Sequence, residues 1–339
     1  MNKRSMLVVI LILFTTVLVF AQRGGRAQEV LEVRLGSPLP RNSDWGRTLD
    51  RIAGEWGRVT NNEVRLRVIH DGLEGGDTKM LSSLSSNSIQ AALFTSTALS
   101  EICPPIMTLS APFLIRDNTE FDLVLKETLP LLEEQIQRNN FVVIAWSKAG
   151  WVYVFTREPV FTPDDLRRQR IGTSPEVKDV NTAFRTMGFN LVETDMVDMG
   201  TRLANNAINA IYLLPEAIAP LGLHRHLRNY LDMPIAPFAG AIVMNRVTWN
   251  RISPQHQREL VRITQGIATE FDAQMARTAA NAVTAMQRDG LTINKPTPAQ
   301  QELWLADMNR ATPMLLGTTY DRDLYNRINR LLENHRNRQ

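Results

Sequence analysis

Cys103, the only cysteine, and the pair His224 and His226 are the side chains with the widest chemical reach, and each stands without the company its chemistry needs. A nucleophilic thiol needs a base to take its proton, and Cys103 has Pro104-Pro105 beside it and no acid–base pair nearby. A metal needs a third ligand, and His224-Arg225-His226 has no carboxylate or cysteine cluster around it. Cys103 therefore reads as a packed thiol and the histidines as a solvated turn. Arg167-Arg168 with Arg170 reads as a charged helix end, and Asn334–Gln339 as a frayed C-terminus. Gly75-Gly76-Asp77 reads as a turn into a helix, with Asp77 as its N-cap. Helix N-termini in α/β proteins point at ligand clefts, so this turn is a candidate cleft wall. The chain has no phosphate-cradling glycine loop with its lysine, no dinucleotide fingerprint, no nucleophile elbow and no CxxC. No catalytic constellation survives, so an enzyme is the least expected class and neither a metal nor a cofactor is expected.

The elements that position these residues alternate. Val30–Gly36, Val64–Ile69 and Ile89–Phe94 have strand patterns, separated by helical spacing over Trp45–Thr60 and a helix through Met80, Leu81 and Leu84. This β-α-β-α-β order predicts a mostly parallel sheet covered by helices. A second series follows. Phe141–Trp146 and Trp151–Thr156 read as two strands, Asp164 and Asp165 mark a helix start, and Arg170–Thr173 is a short strand. Val177–Met187 is helical, Asn190–Val192 opens a strand and Asp198–Asn205 a helix. Ser253 and Pro254 then start the longest periodic segment, whose stripe runs Leu260, Ile263, Ile267, Phe271, Met275, Ala279, Val283 and Met286. Two further helices are expected around Ala299–Met308 and Asp321–His335. The fold class is α/β, with two halves and one helix long enough to touch both.

The 339 residues, 44% hydrophobic and 22% charged, suffice for one large or two ordinary domains with a full core. A net charge of +3 over that length is too small to indicate a nucleic-acid partner. Lys3 and Arg4 precede an apolar run, Met6–Phe20, broken only by Thr15 and Thr16, and Val19-Phe20-Ala21 supplies short residues for cleavage. This is the grammar of a secretory signal peptide over residues 1–21, and the run is short for a membrane span. An uncleaved anchor is the alternative. Loss of Lys3 and Arg4 leaves 36 basic against 35 acidic residues, a nearly neutral exported protein.

From about Val33 to the C-terminal helices the chain resembles the extracytoplasmic substrate-binding subunits of TRAP (tripartite ATP-independent periplasmic) transporters, the DctP type. Gly75-Gly76-Asp77 matches the loop before the family's second helix, and Leu109–Leu114 resembles its L-x-x-P-F-L segment. Phe161–Leu166 resembles the P-x-D-L-K-G helix start. Met244-Asn245 through Trp249, then Ile252-Ser253-Pro254 and Gln257, resembles the W-x-x-L-S-P-E-x-Q lead into the long helix. The resemblance implies a periplasmic-binding-protein-like fold: two α/β lobes, a ligand cleft between them and a long connecting helix. The lobes are expected at 29–151 with 240–280, and at 152–239 with 281–339. It also implies a small-molecule ligand, an ion-gradient-driven integral-membrane permease as partner, a periplasmic location, and in some systems a tetratricopeptide-repeat subunit.

The departures from the family bear on the ligand. The family's L-K-I-R-V segment carries an Arg that pairs with a ligand carboxylate, and here Gln169–Thr173 puts Gly172 at that position. The family's G-F-R-x-F-T stretch is matched by Gly150–Thr156, which contains no Arg. Its V-D-G-x-E-N-P segment is matched by Ile208–Pro215, which is largely apolar. A guanidinium–carboxylate fork supplies two charge-assisted bonds, so its loss removes the means of selecting small dicarboxylates. A larger, more hydrophobic ligand is expected. Two alternatives stay open: an organic-acid receptor whose ligand is held by another cation or by backbone amides, with Arg170 as the candidate cation since residues two apart share a strand face, and a non-binding scaffold or assembly subunit. The resemblance places Trp151, Tyr153, Gly172, Tyr212 and Leu213 at or near the cleft from one lobe, with Asp77, Thr95 and Ser96 from the other. Leu213 and Leu214 as core filler is the competing reading.

Overall fold

The computed structural model describes residues 30–175, 177–218 and 221–338. The signal peptide expected at 1–21 lies outside the described residues. Ten strands occur among those described, in chain order β1 (Leu31–Gly36), β2 (Val64–Ile69), β3 (Ala91–Thr95), β4 (Phe141–Thr156), β5 (Arg170–Thr173), β6 (Asn190–Glu193), β7 (Ala210–Leu213), β8 (Asn229–Leu231), β9 (Ala236–Asn245) and β10 (Thr292–Asn294). The main path runs β2-β1-β3-β9-β4-β7-β5-β6, with β8 pairing β4 and β10 pairing β8. β1 is parallel to both β2 and β3, and β5 to both β6 and β7, as right-handed crossovers through helices require.

β4 belongs to both lobes. Its residues from Phe141 to Val152 pair with β9 of the first lobe, and Tyr153–Thr156 pair with β7 of the second. The expected two strands are therefore one. The stretch Lys148–Gly150 bulges instead of ending the strand, and Gly150 supplies the positive φ (133°) that the bulge requires.

The helix Asp44–Val59 is capped by Ser43, whose side chain accepts from the Gly46 amide, and it buries Leu49, Ile52 and Trp56 against β1 and β2. Trp56 Nε1 donates to Thr264 Oγ1 at 2.8 Å, which joins this helix to the long helix Pro254–Arg288. The long helix does span the two halves. Leu260 and Ile267 share a core with Val33 and Leu49, while Met286 shares one with Phe155 and Met199. Between them Gln265 bonds both the amide and the carbonyl of Trp146, and Asp272 accepts from Ser147 Oγ (2.6 Å) and the Lys148 amide (2.9 Å). These bonds hold the helix to β4 where the strand passes between lobes.

The C-terminal segment divides differently from the expected 281–339 block. Trp304 and Met308, on helix Pro298–Leu315, pack with Val160, Leu166 and Ile171 of the second lobe. Leu324, Ile328 and Leu332, on helix Arg322–Arg336, pack with Phe121 and Val124 on helix Asn118–Arg138 of the first. Arg336 completes that docking with two bonds to the buried carboxylate of Glu120, at 2.6 and 2.8 Å. The apolar stripe of the last helix is answered by the first lobe, and that settles where it lies. No described helix is long and apolar enough to cross a membrane.

Candidate functional site

Two adjoining spaces lie between the lobes. The outer one, about 390 Å³, is walled by Asp77, Thr95 and Thr97 from the first lobe and by Gly172, Thr194, Asp195, Tyr212 and Leu213 among others from the second. The inner one, about 210 Å³, runs behind it between Phe113, Ile171, Phe184, Phe189, Trp304 and Met308. Thr97, Val152, Thr173, Val177, Tyr212 and Phe238 wall both, so the spaces adjoin.

The charge in these walls is one-sided. Among the described residues the inner space has no ionisable acid or base in its wall other than tyrosine, and the outer has only the acids Asp77 and Asp195. Neither has Lys, Arg or His. The wall hydroxyls are already engaged. Ser96 Oγ donates to the Ala239 carbonyl at 2.9 Å, and Thr95 caps the short helix Ser96–Leu99 through the Ala98 amide. Thr173 Oγ1 donates to Asn181 Oδ1 (2.9 Å), which uses its one proton, so Tyr212 Oη at 2.8 Å donates to Thr173. Asn181 in turn donates to the Ser174 carbonyl. Burial pushes the Tyr212 phenol upward, which keeps that proton in place.

The position expected to carry the family Arg has no side chain and is crowded by two others. Gly172 is buried, and a Cβ there would meet Ile208 Cδ1 at 2.7 Å and Met199 Sδ at 2.9 Å. Those two apolar groups fill the space a longer residue would need. Arg170 does not take over. Its guanidinium donates to the carbonyls of Asn206 (2.8 Å) and Ala207 (3.3 Å), and it forms no part of either wall.

Of the residues singled out in the sequence, Asp77, Thr95, Gly172, Tyr212 and Leu213 wall the outer space and Ser96 the inner one. Asp77 is the first helical residue, with Gly76 in the N-cap position, which corrects the expected cap. Leu213 is half-buried and also packs against the second lobe's core, so the two readings of it are not exclusive. Trp151 and Tyr153 are elsewhere. They wall a separate space of about 810 Å³ on the opposite face of β4, beneath the long helix. Trp151 Nε1 donates to Asn118 Oδ1 and its ring meets Phe121 edge-on, while Tyr153 packs on Tyr230 at 5.0 Å between centroids. Side chains alternate along a strand, so Val152 and Val154 face the interlobe space and their neighbours cannot. The sequence analysis also passed over Phe238, Trp304 and Met308. No local pattern marks them, since Trp304 and Met308 come from a helix more than 130 residues beyond β5. His224 and His226 lie at a 3₁₀ turn, and the described residues contain no cluster of His, Cys, Asp or Glu fit for a metal.

Residues 35–315 match the DctP family, bacterial extracellular solute-binding protein family 7, and the chain belongs to it. Members are binding proteins of transport systems and not enzymes. The 2,3-diketo-L-gulonate-binding periplasmic protein YiaO of Escherichia coli K12 is 24% identical over 209 residues, covering 61% of this chain and 63% of YiaO, so the match spans just under two thirds of that relative. The fold is that of TRAP periplasmic solute-binding proteins. One from Desulfovibrio salexigens, with bound orotic acid, has a TM-score of 0.79 at 15% identity, covering 91% of this chain and 99% of that one. Another from Chromohalobacter salexigens, with bound D-glucuronate, has a TM-score of 0.79 at 17% identity, covering 88% and 99%. A third from Shewanella oneidensis, with bound succinate, has a TM-score of 0.79 at 13% identity, covering 89% and 99%.

Proposed function

We propose that this chain is the solute receptor of a TRAP transporter whose ligand is held mainly by its hydrocarbon. Exported by the leader at 1–21, it would work in the periplasm, close over the ligand and deliver it to an ion-gradient-driven membrane permease, with a tetratricopeptide-repeat subunit as a further possible partner. One observation carries this reading: among the described residues the two spaces walled by Tyr212 have no Lys, Arg or His, and the position where the family resemblance expects a cation is Gly172, crowded by Met199 and Ile208. A carboxylate drawn into such a space would lose its water and gain no counter-charge, which is strongly unfavourable. Hydrocarbon burial is favourable there, by roughly 25 cal/mol per Å². The proteins with bound orotate, glucuronate and succinate share the fold, and their ligands are all acids. The organic-acid alternative needs another cation or backbone amides, and Arg170, held on the carbonyls of Asn206 and Ala207, is not that cation.

Native mass spectrometry of the protein as purified from its own cells, followed by extraction and identification of what it carries, tests this. An apolar or amphiphilic molecule in one-to-one ratio supports the reading. A small organic acid in that ratio contradicts it, and an empty protein under all conditions points to the scaffold role.

A further inference from the structure

The two adjoining spaces differ in polarity, and that difference has a consequence for the ligand. The outer one mixes polar groups, among them Asp77, Thr95, Thr194 and Asp195, with apolar ones such as Met196, Leu213 and Leu214. Its carboxylates would accept hydroxyl protons and repel a second anion. Asp77 begins the helix Asp77–Ser85, whose positive end offsets its charge, so the attraction for a cation is weakened too. The inner space is hydrocarbon and aromatic, with Tyr212 at the passage between them.

The inner space has a fixed far wall. Trp304 Nε1 donates to the Phe161 carbonyl at 3.0 Å, and its ring packs on Phe113 with centroids 6.2 Å apart. The neighbouring Asp307 is buried and ion-paired to both Arg167 and Arg310, which pins this turn of helix Pro298–Leu315 against helix Pro163–Arg167. Met308 sits on the same turn, in the cavity wall. A wall held by a buried ion pair and an indole bond yields little to a longer guest.

We propose that the site takes a single-tailed amphiphile with an uncharged, hydroxyl-bearing head, the tail passing Tyr212 into the inner space, and that Met308 and Trp304 set the longest tail it accepts. This rests on the apolar-ligand reading above and adds the head chemistry and a length limit. Each methylene buried before the wall is reached should tighten binding about fourfold. Beyond it, further methylenes should add nothing or weaken binding, because the extra volume must displace packed side chains.

The test is titration of the ligand-stripped protein with monoacylglycerols of increasing chain length, below their micelle concentrations. The expected result is a steep rise in affinity that breaks at one chain length. Met308→Ala should move the break to longer chains, and Val180→Phe, from the cavity's side wall, should move it to shorter ones. Both variants are checked for wild-type melting, and either alone suffices if the other fails to fold. Fatty acids and alkyltrimethylammonium ions of the optimal length should bind at least tenfold more weakly. A break that neither variant moves, or no break, overturns the length limit. Equal or tighter binding of either charged head overturns the head assignment. Failure of every alkyl probe to bind overturns the apolar-ligand reading itself, and this proposal with it.

Discussion

Tyr212 on β7 donates its phenolic hydrogen to Thr173 on β5 across 2.8 Å, at the point where the outer cleft narrows into the apolar cavity. The bond lets a half-exposed aromatic ring stand at the passage with its polar atom turned into the wall. It also ends a chain, since Thr173 passes its own proton to Asn181.

Tyr212→Phe removes one neutral hydrogen bond while leaving Thr173 bonded to Asn181. It should lower stability by about 0.5–1.5 kcal/mol in chemical denaturation and leave binding of an apolar ligand within a few-fold. Tyr212→Ala should instead weaken binding at least tenfold, because the ring that walls both spaces is gone. Denaturation curves and titrations on the same two variants check this.

Gly172→Ala should cost about 1–3 kcal/mol, because its methyl group would press on Ile208 and Met199 in a filled space. Gly172→Arg should cost more and should not create succinate binding, because the new side chain must first displace Ile208 and Met199. A well-folded Gly172→Arg protein that binds succinate would show that the apolar filling had been misjudged.

Glu216 carries a pH signature. Both of its carboxylate oxygens are buried without a hydrogen-bond partner, against Gly150 of the β4 bulge and near Tyr153 and Asp232. Burial pushes its pKa up from 4.5 to about 7. The folded protein thus keeps this proton to about pH 7, while the unfolded chain releases it near 4.5. Stability from this group is complete below about pH 4.5 and is lost as pH rises to about 7, by about 3 kcal/mol at most. Glu216→Gln should match wild type in melting temperature at pH 5 and exceed it at pH 8.

Cys103 is buried, and desolvation pushes its thiol up to about 11, with weak contacts from Sγ to the Leu132 carbonyl and Gln135 Oε1 at 3.7 Å. It should stay unreactive to a disulfide reagent at pH 8 in the native protein and react once on denaturation. Cys103→Ala should leave binding unchanged.

Much of the scaffold was legible because it rests on local patterns. The Val64–Ile69 alternation, the Ser253-Pro254 helix start and the stripe from Leu260 to Met286 each reappear where the spacing put them. What was not legible required knowing how distant segments meet. The helix Asn118–Arg138 carries Pro130 inside it, which interrupts the local signal, and the first lobe's core and the last helix hold it in place. The resemblance set Trp151 and Tyr153 at the cleft, and the structure puts them on the face of β4 opposite Val152 and Val154, because a motif match fixes the segment and not which of its alternate residues face inward. The significance of Gly172 was readable only through the family match at Gln169–Thr173, since a glycine by itself marks no binding position. That Met199 and Ile208 fill its place was not, because both approach from other elements.

The most direct test is isothermal titration of the ligand-stripped protein with succinate, D-glucuronate and orotate at neutral pH and low salt, alongside an uncharged single-tailed amphiphile. The three acids should give no measurable heat at millimolar concentration, and the amphiphile should saturate at one per chain. Micromolar, one-to-one binding of any of the three acids would contradict the cation-free, apolar site.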